Sequence, residues 1–405
     1  MNRINEMIRL QEYKNVKRVK LKDCCSAIFS GGTPLTSKEQ FYDGNIPWIR
    51  SGEIDFNRIF RSERNISQEG LENSSAKLIR PKSVVMAMTG ATVAKVATIE
   101  AEMAANQSVC ALEPNCLLDY RFLYFYLATK YLQLRNSAQG ALTSLNLERI
   151  KNIEIPLPPL NIQKEIVSIL DSFTSLIDKM KQEVEMRKKQ MEYYIDKFYG
   201  GDFDGMMRLA DIPGNSVAQF SDLGPIIRGK RFVRDDIRTV GQPCIHYGDM
   251  YTYYGTMAVT AKTFLERDFP KKMRYAHKGD VVIVGAGEND YDIGVGLVWM
   301  GEEPAAVHDA CYILKHHQIP MYISYYLRSN IYHQQLKKYV SSGKISSFSA
   351  EGLGKVYIPI QPEDKQRQIV SILDTFETYI SKLEKMIELR QKQYEYCREK
   401  LLTFE

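Results

Sequence analysis

Residues able to do covalent chemistry do not assemble into a pattern in this sequence. There is no Walker A glycine-lysine loop for a nucleotide phosphate, no His-Glu-x-x-His pair for zinc and no Gly-x-Ser-x-Gly turn for a nucleophile. The six histidines (His246, His277, His308, His316, His317 and His333) share no ligand spacing, and the seven cysteines include no Cys-x-x-Cys. Gly285-Ala-Gly-Glu-Asn289 lacks the third glycine of a dinucleotide fingerprint and reads as a turn. No Asn/Asp-Pro-Pro-Tyr/Phe segment of the adenine-amino methyltransferase kind is present. The expectation is a chain with no catalytic residue, no metal site and no cofactor of its own.

Polar side chains set beside glycines and probable strands remain. In the first half they are Gly32 and Thr33, Arg50 and Ser51, Thr89, Thr92 and Lys95, Asn106 and Gln107, then Gly140, Thr143 and Ser144. In the second half they are the basic Arg228, Lys230 and Arg231, the aromatic His246, Tyr247, Tyr251 and Tyr253, and Gly343, Lys344 and Ser346. Asn and Gln suit bidentate contact with adenine, Arg suits guanine, and cations suit phosphates. Blander readings stand beside this one. Asn106-Gln107 also suits buried backbone groups, the tyrosines 251–254 also suit packing, and Trp48 reads as core. Lys14, Lys17, Arg18, Lys20 and Lys22 fit a solvated face as well as a phosphate track.

Composition bounds the rest. The 405 residues carry 54 Lys plus Arg against 49 Asp plus Glu, a formal charge of +5 that permits a polyanionic partner without requiring one. With 44% hydrophobic and 25% charged residues the chain is globular, and its length suits two or three domains. The longest uncharged apolar run, Val84 to Ala94, falls short of the ~20 residues of a membrane span. Met1 to Glu6 carries charges where a signal peptide needs an apolar stretch. Odd-numbered, scattered cysteines read as reduced thiols of a cytoplasmic protein.

The elements that position these residues come from a duplication. Ile155-Pro-Leu-Pro-Pro-Leu-Asn-Ile-Gln-Lys-Glu-Ile-Val-Ser-Ile-Leu-Asp-Ser-Phe173 recurs 203 residues on, as Ile358-Pro-Ile-Gln-Pro-Glu-Asp-Lys-Gln-Arg-Gln-Ile-Val-Ser-Ile-Leu-Asp-Thr-Phe376. The register holds without a gap to Lys197 and Lys400. Both copies read as long helices, with Asn161 and Asp364 as N-caps and one apolar seam each, a coiled-coil pattern with a phase shift near Val184 and Ile387. The first seam takes in Leu176, the second Ile372 and Tyr379. Arg187 and Arg390 fall on it, either fixing register or snorkelling at its edge. Looser matches precede each helix, among them Asn106-Gln107 with His308-Asp309 and Gly140 to Leu145 with Gly343 to Phe348. The preceding regions read as mixed α and β, with strands at Val84–Met88, Val93–Ile99, Val281–Val284 and Val295–Trp299 and helices at 120–134 and 322–336.

The sequence resembles the DNA-specificity subunits of type I restriction-modification systems. The matching pieces are Gly31-Gly32-Thr33-Pro34, Gly44-Asn-Ile-Pro-Trp48, and the Ile-Pro-Leu-Pro-Pro-Leu and Gln-x-x-Ile signature at 155–166 with its repeat at 358–369. The resemblance implies an α+β fold: two globular mixed α/β target-recognition domains, residues 1–154 and 202–357, joined by two long antiparallel coiled-coil helices, residues 155–201 and 358–405, in a pseudo-two-fold repeat. It implies that each domain reads half of a split double-stranded DNA target. It further implies docking of two methyltransferase subunits and of restriction subunits that translocate and cut DNA, S-adenosylmethionine, ATP and magnesium belonging to those partners. Arg228-Gly229-Lys230-Arg231-Phe232 departs from the pattern by standing where Gly-Gly-Thr-Pro stands in the first domain. Tyr193, Tyr194, Tyr394 and Tyr396 are the expected partner anchors.

Geometry agrees with a split target. A helix of about 39 residues spans ~58 Å, between one and two duplex turns of ~34–36 Å. Two other readings stay open: a specificity subunit whose partner fuses methyltransferase and nuclease in one chain, and a coiled-coil assembly scaffold that binds no DNA.

Overall fold

The computed structural model describes residues 16–138, 144–267, 269, 273–287, 293–341, 343 and 345–404. The chain divides into two compact units, Met1–Met180 with Met386–Glu405, and Lys181–Lys385.

Nine strands carry the domain part of the first unit: β1 (Cys25–Ser30), β2 (Ile46–Ile49), β3 (Arg58–Ile59), β4 (Arg64–Ile66), β5 (Leu78–Ile79), β6 (Ser83–Ala87), β7 (Val96–Ile99), β8 (Met103–Ala105) and β9 (Val109–Pro114). They form a five-stranded sheet of order β1-β9-β6-β7-β3 and a four-stranded sheet of order β4-β2-β8-β5. Within each sheet one pair is parallel, β3 with β7 and β2 with β8, and the others are antiparallel. Strand β6 is buried on both faces, which its Ser-Val-Val-Met-Ala sequence permits because apolar residues occupy both pleats.

The second unit repeats the plan with β10 (Ile226–Arg228), β11 (Gln242–Ile245), β12 (Met257–Ala258), β13 (Thr263–Leu265), β14 (Tyr275–Ala276), β15 (Val281–Val284), β16 (Gly296–Trp299), β17 (Ala305–Val307) and β18 (Cys311–Leu314). Its sheets run β10-β18-β15-β16-β12 and β13-β11-β17-β14, so each strand answers the one nine places earlier. The expected helices at 120–134 and 322–336 are each broken, into Tyr120–Thr129 and Tyr131–Ala138, and into Pro320–Tyr326 and Asn330–Leu336. At the second break Ser329 Oγ accepts the Tyr332 N–H (3.3 Å) and caps a new helix.

Two long helices follow the domains: α1, Leu160–Phe198, of 39 residues, and α2, Glu363–Leu402, of 40. They begin one residue after Pro159 and Pro362, so Asn161 and Asp364 lie inside the first turn and are not N-caps. The proline carbonyls accept the first helical bonds, from Gln163 N–H (3.1 Å) and Gln366 N–H (3.0 Å), and a residue without an N–H sacrifices nothing there. The seam also differs from expectation. Ile166, Leu170, Phe173, Ile177, Met180, Val184, Arg187, Met191, Tyr194 and Phe198 are all buried or half-buried, an unbroken alternation of three and four. Leu176 is exposed beside it, and Ile372 and Tyr379 are exposed beside the matching seam of α2, which runs Ile369, Leu373, Phe376, Ile380, Leu383, Ile387, Arg390, Tyr394, Cys397 and Leu401. Strict heptads need no phase shift. Arg187 snorkels: it pairs with Glu183 (2.8 Å) and lies over the Tyr379 ring (5.5 Å), while Arg390 is exposed.

Each unit contains a stretch of both helices. In the first, Ile166, Leu170 and Ile177 share a core with Tyr394, Cys397 and Leu401 and with Phe122 and Phe125 of the domain. In the second, Lys188 pairs with Glu384 (2.9 Å) and Tyr194 packs on Phe376 (5.6 Å), so the stretches run antiparallel. No described helix is long and apolar enough to cross a membrane.

A buried glutamine ties each helix to its domain. Gln163, with no exposure, accepts the Asp119 N–H (2.8 Å) and donates to the carbonyls of Leu117 (2.9 Å) and Pro158 (2.8 Å). Gln366 accepts the Ile319 N–H (3.2 Å) and donates to the Gln361 carbonyl and to Gln318 Oε1 (both 2.8 Å). Removing one amide strands several buried backbone groups. Gln163→Ala is therefore expected to lower unfolding stability by about 3 kcal/mol, against under about 0.5 kcal/mol for an exposed helix residue such as Gln182→Ala, measured by urea denaturation.

Candidate nucleic-acid interface

The two domains build the same corner from different side chains. In the first, β1 runs out into Gly31 and Gly32, whose amides bond the carbonyls of Val109 (3.1 Å) and Ala105 (2.8 Å). Glycine is required at 31, where a Cβ would stand 2.0 Å from the Ala105 carbonyl oxygen. Asn106 closes the β8–β9 turn: its N–H reaches the Ile49 carbonyl (3.0 Å) and its Oδ1 accepts the Ser108 N–H (3.1 Å). Met88 N–H then bonds Ser108 (2.8 Å), and Leu145 N–H bonds Met88 (2.9 Å). These bonds gather Gly32, Thr33, Arg50, Asn106, Gln107 and the bridged pair Thr89 and Ser144 at one edge. Thr33 Oγ1 donates to Gln107, and Trp48 is core, 4% exposed, its indole N–H on the Gly32 carbonyl (3.0 Å).

The second domain repeats the frame bond for bond. Gly229 N–H reaches Cys311 (2.9 Å), Lys230 N–H reaches Val307 (2.9 Å) and His308 N–H reaches Ile245 (3.1 Å). His308 Nδ1 accepts the Ala310 N–H (3.1 Å), Gly285 N–H reaches Ala310 (2.7 Å), and Phe348 N–H reaches Gly285 (3.1 Å). On this common frame Lys230 replaces Gly32, Arg231 replaces Thr33, His246 and Tyr247 replace Arg50 and Ser51, and His308 replaces Asn106.

The electrostatics differ accordingly. In the first domain Arg50 is paired with Glu63 (2.6 Å) and Lys95 with Asp55 (2.6 Å), while Thr92 donates to the Ser51 carbonyl (2.9 Å). In the second, Lys230 and Arg231 are exposed and make no ion pair among the described residues. Arg228 is held by its bond to the Asp309 carbonyl (2.8 Å). Rings of His246, Tyr247 and His308 meet at centroid distances of 4.5 to 5.3 Å. Burial pushes both imidazoles below their ordinary pKa, Asp249 and Asp309 pulling weakly the other way. Each neutral ring spends Nδ1 on a backbone N–H, from Gly248 (3.2 Å) at His246, which leaves the proton on Nε2 as a donor. Asp309 Oδ1 lies 3.3 Å from His308 Nδ1, an ion pair only if that ring is protonated; the burial shift favours the neutral form.

Some expected residues fall elsewhere. Gly140, Thr143, Lys344 and the Tyr251 side chain lie outside the described residues. Gly343 is exposed, whereas Ser346 is buried in a short strand against Gly287. Tyr253 is exposed beneath the Lys262 ammonium (5.1 Å). Of the four tyrosines, Tyr193 and Tyr396 are each 60% exposed. Tyr194 packs on Phe376 and Phe198, and Tyr394 is buried beneath Arg398 in the first unit's core, which removes it from the surface offered to a partner. His308 was missing from the candidates. Its signal was the alignment of His308-Asp309 with Asn106-Gln107.

Comparison with known proteins follows the same lines. The family model described as type I restriction modification DNA specificity domain matches residues 13–186 and again 214–391. A Haemophilus influenzae protein named as a type I restriction enzyme specificity subunit is 31% identical over 326 residues, 74% of this chain and 76% of its own. Two solved structures share the fold across nearly the whole length. One is the specificity subunit of a Mycoplasma genitalium type I restriction-modification system (TM-score 0.56, 15% identity, 96% of each chain). The other is a chain solved in work on complex assembly and conformational transition of the type I restriction-modification system (TM-score 0.58, 16% identity, 95% of this chain and 97% of that one). With both halves matched in sequence and the duplicated frame present in each, the chain belongs to the type I restriction-modification specificity-subunit family.

Proposed function

We propose that this chain is the non-catalytic DNA reader of its restriction-modification enzyme, each corner reading one half of a split duplex target. The observation that carries this is the shared backbone frame with its exchanged side chains. A frame held by main-chain bonds stays constant while the groups facing the groove differ, as two unlike half-sites require. The exposed cations at Lys230 and Arg231 suit phosphates, and Arg50, His246, Tyr247 and Asn106 suit base edges. The exposed Tyr193 and Tyr396 occupy equivalent positions on α1 and α2, which suits two copies of one methyltransferase partner. Methylation and ATP-driven cleavage, with S-adenosylmethionine, ATP and magnesium, would reside in the partner subunits, in the cytoplasm of a prokaryotic cell.

Adenine-methylation sequencing of cells with and without the gene is expected to show loss of one motif, two short blocks around a fixed undefined gap. Exchanging residues 24–150 for those of a relative should change one block and leave the other; a change in both would refute separate reading. Lys230→Ala with Arg231→Ala should weaken DNA binding similarly for all sequences and reduce the log-log salt slope by about 2, as loss of two phosphate contacts requires. A scaffold that binds no DNA gives no such slope. Deleting one turn, four residues or ~6 Å, from each of α1 and α2 should shorten the undefined gap by about one or two base pairs; an unchanged gap in an active complex removes the helices as its ruler.

A further inference from the structure

A second feature recurs in both domains. Strand β3 leaves the five-stranded sheet at Ile59 and β4 enters the four-stranded sheet at Arg64, so residues 60–63 link the two sheet edges. In the second domain residues 259–262 do the same between β12 and β13. The registers agree: Arg58 lies opposite Thr98 as Met257 lies opposite Val298, and Trp48 opposite Arg64 as Cys244 opposite Thr263. The links have equal length and no residue in common, Phe-Arg-Ser-Glu against Val-Thr-Ala-Lys.

Two properties persist despite that. The acid three residues beyond Arg50 or His246 pins the link, by different bonds: Glu53 Oε2 accepts the Glu63 N–H (3.0 Å), and Asp249 Oδ1 accepts the Lys262 ammonium (2.8 Å). The first residue of each link is apolar and faces solvent, Phe60 at 62% and Val259 at 62% exposure. A pinned link cannot fold its apolar residue away, so both domains hold an apolar side chain in water at one defined place.

The surroundings indicate what covers it. In the first domain the Arg58 guanidinium, which pairs with Glu100 (2.9 Å), lies 5.6 Å from the Phe60 ring centroid, and Arg61, next in the chain, makes no ion pair among the described residues. The link joins the polar corner through Arg50–Glu63 (2.6 Å) and through Ser62 Oγ, which accepts the Trp48 N–H (3.0 Å). An exposed apolar group with arginines at hand, tied to the polar corner, fits a duplex groove better than an apolar protein surface. The apolar group that a duplex displays in its major groove is the thymine methyl.

We propose that Phe60 and Val259 are apolar base-reading residues, each meeting a thymine methyl when its corner lies against the groove. The assignment rests on the DNA-reading role proposed for the two corners.

The test uses the full chain co-purified with its methyltransferase partner, and duplexes carrying the motif recovered by methylation sequencing. Replacing thymine with uracil, one position at a time in each block and its flanks, removes only the methyl. At one position in each block the wild-type complex should lose about fourfold in affinity, the worth of one methyl-sized apolar contact. Phe60→Ala should weaken binding roughly tenfold and make its block indifferent to uracil, and Val259→Ala should do so for the other block, with thermal unfolding unchanged. Indifference of the wild-type complex to uracil at every position overturns the proposal without any variant. So does Phe60→Ala that keeps DNA affinity within twofold, or that loses the methyltransferase partner while DNA binding stands. A wild-type complex with no preference for its motif over a scrambled duplex would instead bring down the reading role itself.

Discussion

A buried side-chain amide stands where each domain passes into its long helix, and the architecture hangs from those two amides. Gln163 holds the turn at Leu117–Asp119 and the chain at Pro158 at once, so the domain and the first turn of α1 cannot shift independently. Gln366 does the same for Ile319, Gln318 and the chain at Gln361. Apolar contact alone would let a helix slide or rotate by a residue. Directional bonds to several backbone groups do not, because any displacement leaves buried polar groups unmatched. This is the physical content of the Gln-x-x-Ile signature: the glutamine sets position, and Ile166 or Ile369 starts the seam.

The corners are held by bonds of their own, and those bonds are almost wholly main-chain. Six bonds of one kind recur in both domains, and only at position 106 or 308 does a side chain take part in them. The frame and the side chains it displays are thereby separated. Exchanging an arginine for a histidine between positions 50 and 246 leaves the frame bonds in place and alters what faces outward. Gly32, by contrast, is buried with the Ser75–Ala76 backbone 2.3 Å from where a Cβ would stand, so the exposed Lys230 needs different surroundings. The charge states follow the same division: a frame that half-buries His246 and His308 disfavours their charged forms, and the backbone N–H at each Nδ1 makes Nε2 the donor of the neutral ring.

The duplication, the two helices and the pairing of motifs were legible in the sequence, because a fixed offset of 203 residues needs no three-dimensional information. The phase of the seam was less so. Leu176 and Ile177 are adjacent and equally apolar, and only burial distinguishes them; the same holds for Ile372 and Leu373. The helix starts were misplaced because Asn161 and Asp364 are good caps in isolation, while the buried glutamines decide the local hydrogen bonding instead. For the corners, residue types pointed to Arg50, Asn106 and His246, which the structure sets at the corners, but sheet order alone brings the His308 ring within 4.8 Å of the His246 ring. Tyr394 looked like an anchor because tyrosine suits both surfaces and cores, and its heptad position decides for the core.

The first compact unit is closed by Met386–Glu405, residues that follow the whole of the second. During synthesis its core, with Ile166, Leu170 and Ile177, stays open until Tyr394, Cys397 and Leu401 have been made. At roughly 5–20 residues per second that interval is on the order of tens of seconds. For all of it a freshly made domain carries an unzipped apolar stripe, and its closure is set by the ribosome's pace, not by the domain's own folding rate.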